Sequence, residues 1–430
     1  MSLFAWLQSL FRPRSPVRDI SELTGADPED VAERIDTSGG PLKPQHLRRA
    51  LRDPRLLPKP KSRTAVWSRR KKPKILERSE ADRLFSATLR TRDRNIRDLL
   101  ADPDQLARYQ LPAWETEQQL AEALGLSVGM LRHFSIHRQR ETTPHYVTFA
   151  IPKRSGGQRL IHAPKRRLKA VQRRLHEVLV SRLPASAAAH GFLPQRSVAT
   201  NAAPHVGRAV VVKLDLKDCF PTIHFGRVRG LFISLGYGYQ VAATLAALMT
   251  EAPRQPVEVG GQVFHVPVGP RVCVQGAPTS PGLCNAILLR LDRRLAGFAR
   301  QHGFAYTRYA DDLTFSGDDF DKIKLLLAVT ARIVREEGFV LNRDKTRVLR
   351  KSRRQMVTGV VVNQTAGLCR RERRRLRAAV HQFARSPESL DAKSVQRLGG
   401  KLAYLRMLNG DQAAPLLAEF QQAQRARGGG

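Results

Sequence analysis

Two adjacent aspartates, Asp311 and Asp312, are the residues of this 430-residue sequence whose types and spacing most directly indicate chemistry. They stand where two apolar segments of strand character meet, within residues 304–316. Neighbouring carboxylates repel each other, so a pair on a tight turn between buried strands costs stability and is usually explained by a bound cation. The alternative is a hydrophilic hairpin turn, because turns favour aspartate.

A third aspartate, Asp215, ends a short apolar strand that includes Val211. Side chains alternate between the two faces of a strand, so Val211, Lys213 and Asp215 are expected on one face. Asp215, Asp311 and Asp312 would together supply three negative charges for two Mg²⁺ ions, with Mn²⁺ as the alternative ion. Two such ions can stabilise an in-line phosphoryl transfer, one at the attacking hydroxyl and one at the leaving pyrophosphate.

The charge of the sequence points to a polyanionic partner. There are 74 Lys and Arg against 38 Asp and Glu, a formal net charge of +36. Residues 51–100 carry 16 basic and 6 acidic residues, residues 151–200 carry 11 and 1, and residues 351–400 carry 12 and 3. We expect nucleic acid rather than a membrane surface as the partner. A hydrophobic content of 42% excludes a wholly disordered basic tail.

The apolar runs and the cysteines indicate where in the cell the protein is located. No run approaches the roughly 18 apolar residues that are needed to cross a bilayer. The four cysteines show neither CxxC spacing nor paired loops, so we expect no zinc site and no disulfide framework. A reducing cytoplasm is therefore the predicted location.

The periodicity of apolar residues predicts mixed α and β structure. From residue 370 onward the chain is expected to be helical and basic. The expected strands lie at residues 146–152, 158–161, 210–216, 304–316 and 357–362, and a further helix lies at 165–183.

The part of the chain before residue 144 gives weaker signals. Two short helices are expected between residues 115 and 137, the second capped by Ser127. They are typical either of a helix-turn-helix that contacts DNA or of a helical layer packed beside a larger domain. The basic, proline-rich stretch at residues 59–74 indicates an arm along phosphates or a solvated connector.

The neighbours of the three aspartates carry a family resemblance. Tyr309-Ala-Asp-Asp312 resembles the signature of reverse transcriptases. Asp215-Leu-Lys-Asp-Cys-Phe-Pro-Thr-Ile223 resembles their first carboxylate motif, and Val274-Gln-Gly-Ala-Pro-Thr-Ser-Pro281 resembles their template- and nucleotide-side loop. The order and spacing of the three motifs also agree with that family.

Further motifs make the sequence similar to the bacterial retron reverse transcriptases in particular. Asn201-Ala-Ala-Pro-His205 resembles the NAxxH element of that group, and Val357-Thr-Gly359 resembles its VTG element. The segment at residues 151–159 is also similar to that group. The resemblance covers about residues 145–409, so most of the first 140 residues fall outside it.

The resemblance implies an α+β right-hand polymerase with fingers, palm and thumb. We expect an antiparallel palm sheet backed by helices, a helical thumb and a mainly helical N-terminal extension. The expected segments are an N-terminal helical segment at 1–50, a basic arm or linker with helices at 51–112, the helix-turn-helix-like layer at 113–143, fingers and palm at 144–365, and a basic thumb at 366–430.

The resemblance also implies roles for single residues. Phe220 would pack beneath the incoming sugar and exclude a 2′-hydroxyl, with plain core packing as the alternative. Lys153 and Arg159, which flank a Gly-Gly turn, would grip the triphosphate, since Arg is a bidentate fork and Lys a point charge. Gln275 would contact nucleotide and template. Lys345 would protonate the leaving pyrophosphate, with an exposed surface lysine as the alternative.

Asn201 and His205 have two interpretations, which are binding of the cognate RNA and shaping of the palm. For the whole protein the resemblance implies that a structured non-coding RNA encoded beside it is copied from deoxynucleoside triphosphates. Priming from a guanosine 2′-hydroxyl would yield branched RNA–DNA. A role in defence against phage with an effector protein is also implied. Only Asp411 and Glu419 are acids after residue 400, so we expect no fused RNase H and a host nuclease as partner.

Three rival functions remain. A group II intron-like or other bacterial reverse transcriptase would not require the NAxxH and VTG elements. An RNA-dependent RNA polymerase would not favour the bulky Phe220. A non-catalytic RNA-binding component of a defence complex would have no reason to keep three costly aspartates.

Overall fold

The computed structural model describes residues 96–136, 142–152 and 156–428. The predicted N-terminal helical segment and most of the predicted basic arm therefore lie outside the described residues, and so does Lys153. Within the described ranges no helix has the length and apolar character that a membrane span requires.

Strands and helices alternate irregularly along the described chain. The strands are β1 Tyr146–Pro152, β2 Gln158–Pro164, β3 Val210–Asp215, β4 Arg254–Val259, β5 Gln262–Pro267, β6 Ala305–Tyr309, β7 Asp312–Gly317, β8 Arg347–Arg350, β9 Met356–Val357 and β10 Val360–Val361. The α-helices are α1 Pro103–Arg108, α2 Glu117–Ala123, α3 Val128–Ser135, α4 Arg166–Val178, α5 Val198–Ala202, α6 Cys219–Thr222, α7 Phe225–Ser234, α8 Tyr239–Met249, α9 Ser280–Ile287, α10 Leu289–Gln301, α11 Ile323–Glu336, α12 Arg370–Arg385, α13 Ala392–Leu408 and α14 Gly410–Gly428.

A four-stranded antiparallel sheet in the order β6-β7-β3-β8 forms the centre of this structure. The β-branched run Val210–Val212 favours the extended backbone of β3, and all three side chains are fully buried. Val210 and Val212 belong to the main core with helices α7 to α11, whereas Val211 faces a smaller cluster with Val357 and Leu408. Because β3 is covered on both faces, its end is held rigidly.

Two hairpins and the first three helices lie outside the four-stranded sheet. β1 pairs with β2, and β4 pairs with β5, each as a separate two-stranded antiparallel unit. Helices α2 and α3 are capped by Thr116 and Ser127 and contribute buried leucines to the main core. The hydroxyl of Thr244 on α8 donates to Glu117 at 2.6 Å, so these helices form a layer against α8.

Helices α12, α13 and α14 form a unit with a core of its own. Their buried apolar residues form a cluster separate from the main core, built by Leu376, Val380, Phe383, Val395, Leu398, Leu402, Leu405, Ala413, Phe420 and Ala423. The opposite face of α12 is strongly basic, with exposed arginines in its first two turns. This unit follows the sheet in the chain, as the predicted thumb does.

His205 connects the short turn after α5 to two strands of the sheet. Its Nδ1 lies 2.7 Å from the Ser316 hydroxyl, and its Nε2 lies 2.8 Å from the Thr307 hydroxyl. Burial, followed by the positive charges of His190 and Arg208, lowers the pKa of His205 to about 3. His205 is therefore neutral in the folded protein at any pH near neutrality.

We predict that the His205→Gln variant loses less stability on acidification than the wild type. Between pH 6.5 and 3 the unfolded chain binds a proton at His205 that the folded chain does not bind, so stability falls as the pH is lowered. One such group should lower the free energy of unfolding of the wild type by roughly 2 kcal/mol between pH 7 and pH 5. The variant should lack this decrease. Urea unfolding at both pH values measures it, and equal losses in the two proteins would contradict it.

Candidate active site

The strand register brings the three predicted carboxylates together. Asp215 is the last residue of β3, and its partner across the antiparallel pair is Asp312, the first residue of β7. Asp311 directly precedes Asp312, and its carbonyl accepts from the Leu216 backbone N–H at 3.0 Å. The three side chains therefore share one edge of the buried sheet.

A tight two-residue turn presents Asp311. Tyr309 pairs with Asp312, which leaves Ala310 and Asp311 as the hairpin loop between β6 and β7. Ala310 has a φ of 56°, in the left-handed region, where a non-glycine residue costs roughly 1–2 kcal/mol. The surrounding structure must therefore hold this turn in place.

The acidic edge is electrostatically unfavourable without a cation. Burial, followed by the charge of Asp215, raises the pKa of Asp311 above its ordinary value. Burial also raises the pKa of Asp312, where Lys213 on the same face opposes the effect and Asp215 adds to it. The fold thus gathers negative charge that it does not neutralise fully by itself.

Lys345 supplies part of the missing positive charge. Its Nζ donates to both carboxylate oxygens of Asp215, at 2.9 and 3.0 Å. This bond raises the pKa of Lys345, so its ammonium group stays protonated. The Asn342 backbone N–H donates to the Asp215 carbonyl at 2.8 Å and holds the lysine's segment beside β3. Lys345 is thus not a plain surface lysine.

The acidic edge fits divalent ions by its chemistry, although its ligands are not fully arranged. Within residues 96–136, 142–152 and 156–428, no three His, Cys, Asp or Glu side chains have converged on a common metal position. Asp215 is turned to Lys345 instead. Burial, with the charge of Asp215 added to it, raises the pKa values of Asp311 and Asp312, and a divalent cation would offset both effects, so these oxygen donors suit Mg²⁺ or Mn²⁺.

Gln275 and Gly276 pack directly against the β1–β2 hairpin. The Gln275 carbonyl accepts from the His162 backbone N–H on β2 at 2.9 Å. Gly276 has a φ of 116°, and a Cβ at this position would lie 2.9 Å from the His162 carbonyl oxygen. Only glycine fits this close approach, and the half-buried Gln275 side chain is thereby placed beside the hairpin.

Two further predicted nucleotide contacts, Phe220 and Arg159, make no bond to the carboxylates in the described part of the chain. Phe220 lies on α6, the short helix after Asp215, and is partly buried against the main core. Arg159 is exposed on β2, opposite Ile151. Among the described residues, neither of these side chains shares a hydrogen bond or ion pair with the three aspartates.

The NAxxH residues have structural partners in the palm. Asn201 is fully buried, and its side-chain amide donates to the Thr358 hydroxyl of the VTG element at 3.3 Å. The Thr307 hydroxyl on β6 donates to the Asn201 carbonyl at 3.3 Å. Because Asn201 and His205 are both inaccessible to a macromolecule, their burial favours the palm-shaping interpretation over direct RNA contact.

Sequence reasoning missed the support beneath the turn. Arg308 and Asp292 form a fully buried ion pair, with Nη2 2.7 Å from Oδ2. The signal was an arginine inside an otherwise apolar strand directly before Tyr309, since a buried charge requires a partner. The partner on α10 could not be inferred from one sequence.

A buried antiparallel sheet backed by helices, with one carboxylate ending a strand and two on the adjoining hairpin, defines a palm-type nucleotide polymerase. Residues 151–362 match the family "reverse transcriptase (RNA-dependent DNA polymerase)". A retron Mx65 reverse transcriptase from Myxococcus xanthus is 64% identical over 389 residues, which cover 90% of each chain. The chain belongs to the retron reverse transcriptases, and its activity is RNA-directed DNA synthesis.

More distant proteins show the same likeness at lower identity. A retron Mx162 reverse transcriptase from Myxococcus xanthus is 44% identical over 72% of this chain and 67% of that protein. Among solved structures, a Candida albicans telomerase matches 72% of this chain at 13% identity and a TM-score of 0.41. The match spans 60% of the telomerase chain, less than two thirds.

These findings confirm several predictions made from the sequence. The retron family, the α+β polymerase fold with its antiparallel palm sheet, and the enzyme class are confirmed. Reverse transcriptases act on nucleic-acid templates and use divalent metal ions, and both statements hold for this family. The roles of single residues and the five-segment division stay predictions.

We predict that the Asp311→Asn variant melts at a higher temperature than the wild type in EDTA. The fold raises the pKa of Asp311, so at neutral pH its ionised form destabilises the folded state, and a neutral amide removes that repulsion. Added Mg²⁺ should raise the melting temperature of the wild type more than that of the variant.

Asp321→Asn, which neutralises an exposed aspartate outside the site, is the matched control and should respond to Mg²⁺ like the wild type. A lower melting temperature of Asp311→Asn in EDTA, or equal Mg²⁺ shifts in all three proteins, would contradict the assignment of the metal site.

Proposed function

We propose that this reverse transcriptase copies a structured non-coding RNA encoded beside it, starting from the 2′-hydroxyl of a guanosine in that RNA. The product is a multicopy single-stranded DNA joined to the RNA by a branch. The similarity to retron reverse transcriptases over 90% of the chain supports this proposal, together with the NAxxH and VTG elements. The observation behind the nucleotide-transfer step is that Asp215, Asp311 and Asp312 lie at one sheet edge.

Asp215, Asp311 and Asp312 would hold two Mg²⁺ ions, which supply charge neutralisation for the transfer of a nucleotide to the growing strand. The chain's own residues position the reactants. The buried register of β3 with β7 fixes Asp215 opposite Asp312 before any substrate binds. Lys345 would give up its bond to Asp215 if Asp215 held a cation, and its ammonium group would then be free to face the substrate.

Lys345 is suited to donate a proton to the leaving pyrophosphate. Its ammonium group is protonated and lies at the acidic edge, within 3.0 Å of both Asp215 oxygens. A protonated donor beside the leaving group lowers the charge that develops there in the transition state. Its side chain is more than half exposed, so it has room to move toward a substrate.

The remaining nucleotide contacts come from the hairpin and the helix after Asp215. Arg159 on β2 would grip the triphosphate together with Lys153. Gln275 would contact nucleotide and template from the loop that bonds to β2. Phe220 would exclude the 2′-hydroxyl of a ribonucleotide from its place on α6.

Partners beyond the RNA, its DNA product and deoxynucleoside triphosphates follow from the family resemblance. We propose a cytoplasmic role in defence against phage, with an effector protein, and trimming of the template by a host RNase H. We also propose the division into an N-terminal helical segment, basic arm, helical layer, fingers with palm, and thumb. The basic thumb helix α12 is the part suited to lie along the RNA backbone.

Two other functions give different outcomes in one experiment. A group II intron-like enzyme would extend unbranched primers without a dedicated RNA. A non-catalytic RNA-binding component would carry RNA without attached DNA. The presence of three costly carboxylates at one sheet edge argues against the second.

We predict that the protein purified from its native host carries one RNA species joined to DNA through a 2′,5′ branch. Sequencing of the bound nucleic acid, followed by treatment with debranching enzyme, measures both features. A matched preparation of Asp311→Asn should carry the same RNA without the DNA. Random cellular RNA on the wild-type protein would contradict the retron proposal, and a linear DNA product would contradict the priming chemistry.

A further inference from the structure

A fully buried ion pair lies directly beneath the catalytic turn. Arg308 on β6 and Asp292 on α10 are both shielded completely from solvent. The Arg308 Nε lies 2.8 and 3.0 Å from the two Asp292 oxygens, and its Nη2 lies 2.7 Å from Oδ2. Asp292 also accepts from the Tyr306 hydroxyl at 2.8 Å, so its carboxylate is fully engaged.

The other end of the guanidinium reaches the turn itself. Arg308 Nη1 donates to the Ala310 carbonyl at 2.9 Å and to the Asn285 side-chain oxygen at 3.0 Å. The Ala310 carbonyl belongs to the peptide group that carries the Asp311 amide. A bond to this carbonyl therefore fixes the orientation of the peptide plane from which the Asp311 side chain departs.

The loop at residues 188–191 also packs against the turn. The Asn285 side-chain amide donates to the Gly191 carbonyl at 2.9 Å. A Cβ on Gly191 would lie 2.8 Å from the Ala310 backbone nitrogen, so this loop approaches the turn as closely as glycine allows. Arg308 also exchanges backbone bonds with this loop, to Ala188 at 2.7 Å and from His190 at 2.8 Å.

The chemistry of the pair explains why this position holds arginine. Buried ion pairs can often be replaced by apolar residues without loss of stability, so core packing alone does not require one here. A planar guanidinium can bond to Asp292, Asn285 and the Ala310 carbonyl at once. A lysine ammonium is a single point and cannot span these three partners in the same geometry.

We infer that Arg308 is a positioning residue for the catalytic turn. Asp292 orients the Arg308 guanidinium. The guanidinium holds the left-handed Ala310 peptide, so that Asp311 faces Asp215. This role rests on the proposed function of Asp311 as a holder of divalent ions. Arg308 touches no substrate, and its effect reaches the reaction only through the placement of Asp311. The alternative is a core ion pair that serves stability alone.

The test is the Mg²⁺ dependence of primer extension by the full-length Arg308→Lys variant on a primed RNA template. We expect the Mg²⁺ concentration for half-maximal rate to rise about tenfold or more, as for the loss of an outer partner of a metal site. The affinity for the RNA should stay unchanged. Asp292→Asn, which keeps the arginine and the side-chain size, should shift the Mg²⁺ dependence in the same direction. It replaces Arg308→Lys as the test variant if Arg308→Lys does not fold.

The Ala310→Gly substitution separates positioning from core stability. Glycine adopts a positive φ without the Cβ penalty, so adding Ala310→Gly to Arg308→Lys should lower the Mg²⁺ requirement again. Arg294→Lys is the matched control. Arg294 lies on α10, as Asp292 does, and it pairs with Glu336 and Glu337 away from the turn. It should leave the Mg²⁺ requirement at the wild-type value.

An unchanged Mg²⁺ requirement in folded Arg308→Lys would overturn this role, and so would a raised requirement that Ala310→Gly does not reduce. The wild-type protein in the same assay reports on the proposed function separately. DNA synthesis that needs no divalent ion would refute the metal-holding role of Asp311. Normal wild-type Mg²⁺ dependence beside an unaffected Arg308→Lys would refute only the positioning role.

Discussion

The repulsion among Asp215, Asp311 and Asp312 is the constraint on which the rest of this structure depends. A fold that holds three carboxylates at one buried edge must either neutralise them or restrain them. Here Lys345 neutralises part of the charge through Asp215, and Lys213 opposes the repulsion at Asp312. Burial of β3 on both faces restrains the rest, so the carboxylates stay at one edge instead of relaxing apart.

The charge outside the palm complements this acidic edge. The basic blocks at residues 151–200 and 351–400 flank the sheet in sequence, and the second includes the arginine-rich helix α12 of the unit with its own core. This distribution fits a nucleic-acid duplex whose phosphates contact basic surfaces while the acidic edge faces the duplex. Its binding should weaken steeply with salt, because phosphate contacts release counterions.

Local patterns were sufficient to predict the framework of the site. The apolar run before Asp215 and the strand–turn–strand pattern around Asp311 each depend on neighbouring residues, and the strand alternation correctly placed Lys213 and Asp215 on one face. The contacts that support the site could not be predicted in the same way. His205 bonds to residues more than 100 positions away, and Lys345 lies 130 positions from Asp215. Such pairings depend on how elements dock, which a single sequence does not encode in any local pattern.

The most direct test of whether these carboxylates carry the reaction is primer extension by Asp311→Asn on a primed RNA template. RNA binding is measured on the same preparation. We expect DNA synthesis to be abolished while RNA affinity stays close to that of the wild type, because the substitution removes one charge at the sheet edge and leaves the basic surfaces intact. Asp321→Asn should extend the primer like the wild type. Equal extension by Asp311→Asn and the wild type would contradict the claim that these carboxylates carry the reaction.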